Sequence, residues 1–159
     1  MTAREIAPDG APWCPYLGAT ALDVFHAHDI PLAGTFRIGD QPVLFLCAVG
    51  QTYRSSVWAY LDLTGAEAER LAHATWASTP EMVAELEGMF TGRTARFAFA
   101  RDNAVAFEGR VETVELMAAV MAFVEKVMSA TEVQISPQDR RRSLQAGADA
   151  AMRELSPTG

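Results

Sequence analysis

The sequence predicts an α+β domain in the order α-β-β-β-α-β-β-α: a mostly antiparallel five-stranded sheet, helices packed on it, and an extra C-terminal helix. Three observations carry that reading. The chain has 159 residues, a one-domain length at which folding hides roughly 70% of the unfolded surface. Half of its residues are apolar and only 21% are charged, a composition that excludes intrinsic disorder. Runs rich in β-branched and aromatic residues alternate with runs whose apolar residues recur at helical spacing.

Residues 1–16 carry Pro8, Pro12 and Pro15 together with Asp9-Gly10, which break any regular element, so they read as an N-terminal arm. The core domain then spans 17–130. Leu17, Ala21, Phe25 and His28 recur at helical spacing and predict a helix over 17–28, with Thr20 and Asp23 at capping-box-like spacing. Ile30-Pro31 ends it, because the residue before proline avoids the helical region. Strands follow over 34–38, 42–49 and 56–63. Gly39-Asp40 suits a two-residue turn with glycine first, which sets Phe36 opposite Val43 and gathers Phe36, Ile38, Val43, Phe45 and Cys47 on one face.

Thr64-Gly-Ala-Glu67 is a capping box that opens a helix through about residue 75, with Ala68, Leu71 and Ala72 as its apolar stripe. Thr79-Pro80 caps the next helical piece, whose buried side is Met82, Leu86, Met89 and Phe90, and Gly92 stops it. Residues 94–100 and 104–111 form a hairpin. A three-residue turn, Arg101-Asp102-Asn103, would place Phe99 opposite Val105 and Phe97 opposite Phe107; a two-residue turn would place Phe97 opposite Glu108. The first register keeps the phenylalanines together and is the expected one. A long helix over 113–130 carries one stripe of Leu116, Val120, Phe123 and Val127 and a second of Met117, Met121, Val124 and Met128, so it is expected to pack on more than one side. Residues 131–136 are the plausible break before the C-terminal helix, 137–155, capped by Ser136-Pro137 and striped by Leu144, Ala148, Ala151, Met152 and Leu155.

Net charge is −7, which argues against nucleic acid or an anionic membrane as partner. No apolar run reaches the roughly 18 residues of a membrane span, and the polar start is unlike a signal peptide. A cytoplasmic location is therefore expected. Cys14 and Cys47 make no disulfide framework.

The element order through residue 130, in a small acidic chain, resembles the type III secretion chaperone fold and its YbjN-type relatives. The nearest local match is 93–130, where the hairpin Ala95–Gly109 leads into the long apolar helix. The resemblance implies a homodimer without catalytic activity that binds a segment of another protein. It supplies no site residues.

The central strands are apolar on both faces. Val43, Phe45, Cys47 and Val49 lie on one side of their strand and Leu44, Leu46 and Ala48 on the other; Val57, Ala59, Leu61 and Leu63 oppose Trp58, Tyr60 and Asp62 in the next. Leaving Trp58, Tyr60 and two similar side chains wet would expose roughly 600–1,000 Å², so the second face needs a cover. In cis, that cover would be the helix at 137–155 or the helices at 64–90. In trans, it would be a second subunit or a client segment, with Phe45, Trp58 and Tyr60 as the partner-binding surface.

Chemistry-bearing clusters are sparse. His26, His28 and Asp29 form the most metal-like group, yet on a helix residues two apart point about 200° apart, so a structural role is preferred. Trp13-Cys14-Pro15-Tyr16 contains part of the glutaredoxin sequence Cys-Pro-Tyr-Cys, but Leu17 replaces the second cysteine, and Cys-Pro alone is an unspecific haem-ligand signal. An arm that tucks Trp13 onto the domain is the preferred reading, and Cys47, in a buried strand, is expected to be inert. Arg140-Arg141-Arg142 reads as solvated helix surface. The expectation is thus a non-enzymatic protein-binding module without a cofactor, chaperone-like or regulatory, acting as a homodimer or on another protein. The alternatives are a small metal- or cofactor-binding enzyme using His26, His28, Asp29 or Cys14, and an immunity-type protein whose acidity matches a basic toxin.

Overall fold

A computed structural model describes residues 4–8, 10–50 and 55–132, with side chains through 129. The expected helix 137–155 lies outside the described residues. Six strands form one antiparallel sheet in sequential order: β1 (Ala19–His28), β2 (Ile30–Ile38), β3 (Gln41–Val49), β4 (Ser56–Asp62), β5 (Arg93–Arg101) and β6 (Ala104–Thr113). Helices α1 (Gly65–Ala72) and α2 (Thr79–Phe90) connect β4 to β5, and α3 (Leu116–Glu132) follows β6. The fold class is α+β with an antiparallel sheet, as expected, but the sheet has six strands, not five. The core begins with a strand, over Ala19–His28, where the spacing of Leu17, Ala21, Phe25 and His28 predicts a helix.

That strand is β1, and the reason for the difference is in its register. It pairs with β2 from Ala19↔Ile38 to His28↔Ile30, with irregularities after Ala21, Val24 and His26. Bulges of this kind break the two-residue period of a strand. Ala19, Ala21 and Val24 therefore oppose Ile38, Phe36 and Gly34 on one face at spacings of two and three, and the pattern imitates a helix. Pro31, expected to terminate that helix, sits instead near the start of β2, opposite Ala27 of β1 and before the stretch of β2 that pairs with β3, a strand-end position where proline is tolerated. Asp29 turns the chain between β1 and β2 with a φ of 65°.

The rest of the sheet follows the sequence closely. Ile38 pairs with Gln41 across Gly39, whose φ is 58°, and Phe36 faces Val43. A register shift between Cys47 and Val49 turns Val49 to the opposite side from Val43, contrary to strict alternation. In the β5–β6 hairpin the turn is Asp102-Asn103, with φ of 52° and 59°, the left-handed pair that a two-residue type I′ turn demands. A bulge at Ala106 then shifts the ladder, so Phe99 faces Phe107 and Phe97 faces Gly109, while Val105 pairs with Ala100. The phenylalanines share a face as expected, but through a two-residue turn plus a bulge instead of a three-residue turn.

All three helices pack on one face of the sheet. The Thr64 capping box is present: Thr64 Oγ1 accepts from Glu67 N at 3.1 Å and Glu67 Oε1 accepts from Thr64 N at 2.9 Å. The cap of α2 is Ser78, one residue before the expected Thr79. Glu115 caps α3 by accepting from the N–H groups of Met117 and Ala118. Leu71, Met82, Leu86, Phe90, Leu116, Val120 and Phe123 are buried against Leu44, Leu46, Ala59, Leu61 and Phe97. Phe123 stands 5.8 Å, centroid to centroid, from both Phe97 and Phe107. The second stripe of α3 packs only in part: Val124 lies against the core, whereas Met117 and Met121 are 44% and 50% exposed.

Candidate functional site

The opposite face of the sheet is a continuous aromatic layer. Phe36, Val43, Phe45, Trp58, Tyr60, Ala98 and Ala100 form it. Ring centroids step from Trp58 to Phe45 at 6.2 Å, from Phe45 to Phe36 at 6.3 Å, and from Phe36 to Tyr60 at 6.0 Å, separations at which aromatic pairs attract. Gly34 makes this layer possible. A Cβ there would sit 2.1 Å from the Asp23 carbonyl oxygen and 2.9 Å from Phe45 Cζ, so the Phe45 ring lies over bare backbone.

The layer is covered by the N-terminal arm. The arm is a small antiparallel loop of its own, with Ile6 bridged to Tyr16 and Leu17 N donating to Glu5 O. Gly10 sits so close to Pro15 O and Ala7 O that a side chain has no room there. Trp13 lies 6.2 Å from Trp58, and Tyr16 lies 5.9 Å from both Phe36 and Tyr60. The Tyr60 hydroxyl donates to Pro12 O, Val105 N donates to Gly10 O, and Arg4 makes a bidentate pair with Asp62 at 2.8 and 2.9 Å. Trp58 satisfies its own indole N–H with Ser56 Oγ at 2.7 Å.

This arrangement corrects the expected partner surface. Phe45, Trp58 and Tyr60 are 2%, 0% and 2% exposed within the single chain, so they offer a partner nothing while the arm is seated. Among the described residues the cover lies in cis and is the arm, while the helices within 64–90 pack on the opposite face. The signal available in the sequence was the composition of the arm: Ile6, Trp13 and Tyr16 are large apolar side chains set among prolines, where a merely solvated tail would be polar.

One polar cluster fastens the arm. The guanidinium carbons of Arg4 and Arg96 each lie 5.8 Å from the Tyr16 ring centroid, cation–π distances. Arg96 also pairs with Glu108 at 3.3 Å. Burial, aided by the Glu108 charge, pushes the Tyr16 hydroxyl up to about 12, and burial drives Tyr60 well above the ordinary tyrosine value. Both shifts favour the neutral, protonated hydroxyl. The buried Tyr16 hydroxyl has no partner at strict hydrogen-bond geometry, though Arg96 and Glu108 are its polar neighbours. Burial also raises Glu108, outweighing the nearby Arg96.

The remaining candidates are dispersed. Cys14 packs against the aromatic layer and burial raises its thiol; burial pushes the Cys47 thiol up to about 12. His26 and His28 lie on a strand, not a helix, which would place them on one side, but the register breaks between His26 and Ala27, and Asp29 occupies the turn. Among the described residues no group of three or more His, Cys, Asp or Glu is arranged to hold a metal ion. No helix of the described residues is long and apolar enough to cross a membrane. No family model matches the sequence, and neither a curated protein nor a solved structure matches it.

Proposed function

We propose that this chain is a non-enzymatic protein-binding module, and that the edge of the sheet at β1 receives a short extended segment of another protein. One observation carries the reading. β1 ends the sheet, and Leu22 and Val24 on it are 44% and 54% exposed, with Leu17 just before it at 59%. An edge strand presents unpaired N–H and C=O groups, and an added strand takes its affinity from them and its specificity from alternate side chains. The irregularities after Ala21 and Val24 limit the addition to a short segment and disfavour pairing of two long β1 edges. Exposed Glu5, Asp23 and Asp29 flank the strip in a chain of net charge −7, so the fitting segment is apolar with basic residues beside it. The aromatic layer serves this edge indirectly: Phe45 packed over Gly34 holds β2, and with it β1, at a fixed height.

The test is affinity capture from the native host with three versions of the full chain: wild type, Leu22→Asp with Val24→Asp, and Met117→Asp with Met121→Asp as a control. The expected result is a protein captured by wild type and by the control but lost with the β1 variant. Equal capture by all three overturns the reading. A wild-type dimer in light scattering that becomes monomeric in the β1 variant would make a second copy the occupant instead.

A further inference from the structure

An open sheet has two edges, and this one treats them differently. β1 is broken by irregularities after Ala21, Val24 and His26. β6 is not: past the bulge at Ala106, Phe107 to Thr113 pair with Phe99 to Arg93 in unbroken register. A long, regular edge of unpaired N–H and C=O groups is a template on which another strand can form. Two of those groups on β6 are engaged from outside the sheet. Val105 N donates to Gly10 O of the arm at 3.3 Å, and Lys126 Nζ of α3 donates to Arg110 O at 3.0 Å.

We infer that Lys126 and the arm guard the β6 edge, and that the strand they keep off is β6 of a second copy of this chain. The sequence builds the guard through a glycine. A Cβ on Gly109 would lie 3.3 Å from Phe123 Cε1, so the Phe123 ring rests on bare backbone of β6 and draws α3 close to the edge. Lys126 stands one turn further along α3, on the same side as Phe123, and its flexible stem spans the remaining gap to Arg110 O. It is the only lysine among 13 basic residues. Among the described residues the ion pairs are made by arginine; this one ammonium serves a carbonyl.

Charge identifies the occupant. Arg110 C=O points away from β5 to reach Lys126, so the alternate residues Glu108, Arg110 and Glu112 turn their backbone groups outward, and their charges alternate. Two β6 strands laid antiparallel about Val111 set each Arg110 opposite the other copy's Glu112, a favourable cross-strand pair. Both side chains are exposed. Such a contact is isologous and closes at two copies. The bulges of β1 spoil that edge for the same encounter, so each edge has its own device.

Sedimentation of the full chain tests this, in the Leu22→Asp, Val24→Asp background so that β1 takes no part. Lys126→Ala is compared with that background, alone and combined with Glu112→Arg or with Arg110→Pro. Removing a cation raises the net negative charge and by itself opposes association, so association gained on its loss comes from the freed edge. Lys126→Ala is expected to dimerise at least tenfold more tightly and to grow no further than a dimer. Glu112→Arg sets like charges opposite one another, and Arg110→Pro removes an outward N–H while leaving the bonds to β5. Each is expected to return the chain to the background level. An unchanged association in Lys126→Ala overturns the inference. So does assembly past a dimer, or a dimer that Glu112→Arg leaves intact, which would place the contact elsewhere, on Met117 and Met121.

Discussion

At the residue scale, the buried side chains that looked like a binding surface are structural, and their replacement should be read in stability. Trp58→Ala removes a fully buried ring at the junction of arm and sheet and is expected to cost about 3–5 kcal/mol in urea unfolding. Tyr60→Phe keeps the ring and removes only the bond to Pro12 O, with an expected cost of about 0.5–1.5 kcal/mol. Two carboxylates should give pH dependences of opposite sign. Glu67 is held below the ordinary range, first by its hydrogen bond from Arg93, so its contribution is present above the unfolded value and lost as pH falls through the folded one. Burial raises Glu108, so its contribution is present below the unfolded value near 4.5 and lost as pH rises through the folded one. Unfolding midpoints measured across pH should show wild type gaining on Glu67→Gln as pH rises from acid, and losing on Glu108→Gln over the range just above 4.5.

At the element scale, the arm behaves as a missing layer of the fold. A chain lacking residues 1–18 would uncover Phe36, Phe45, Trp58 and Tyr60 together. It is expected to bind a hydrophobic dye strongly and to aggregate, whereas a chain that stays soluble with an unchanged unfolding midpoint would show the arm to be dispensable. How much of this was legible depended on how local each signal was. The Thr64-Glu67 capping box, the Gly39 turn and the stripe of Leu116, Val120 and Phe123 are decided within a few residues, and they appear where the sequence predicts them. β1 was illegible because its bulges replaced a two-residue period with an uneven one that passes for helical. The Ala106 bulge was hidden likewise, since it preserves the facing of the phenylalanines while altering the turn. The cover of the aromatic layer lay in residues too proline-rich to register as an element, so only their aromatic content pointed to it.

At the scale of the whole molecule, six strands with helices on one face and the arm on the other leave two apolar surfaces among the described residues, one at β1 and one on α3. They should be separable. Leu22→Asp with Val24→Asp lies on an exposed edge and is expected to shift stability by no more than about 0.5 kcal/mol, so any loss of partner capture reports on binding. The demand that both sheet faces be covered was legible in the alternation of Leu44, Phe45, Leu46, Trp58 and Tyr60. The surface left over for recognition was not, because it depends on which parts of the chain close over which face.

The seating of the arm also has a consequence in time. Arg4 meets Asp62, Pro12 meets Tyr60 and Gly10 meets Val105, so the part of the polypeptide that leaves the ribosome early finds no berth until β4, and then β6, have emerged. Throughout that interval the nascent chain shows Phe36 and Phe45, and later Trp58 and Tyr60, uncapped to the cell. The pace of translation through β5 and β6 therefore sets how long this sticky half-built sheet must survive before its own beginning closes over it.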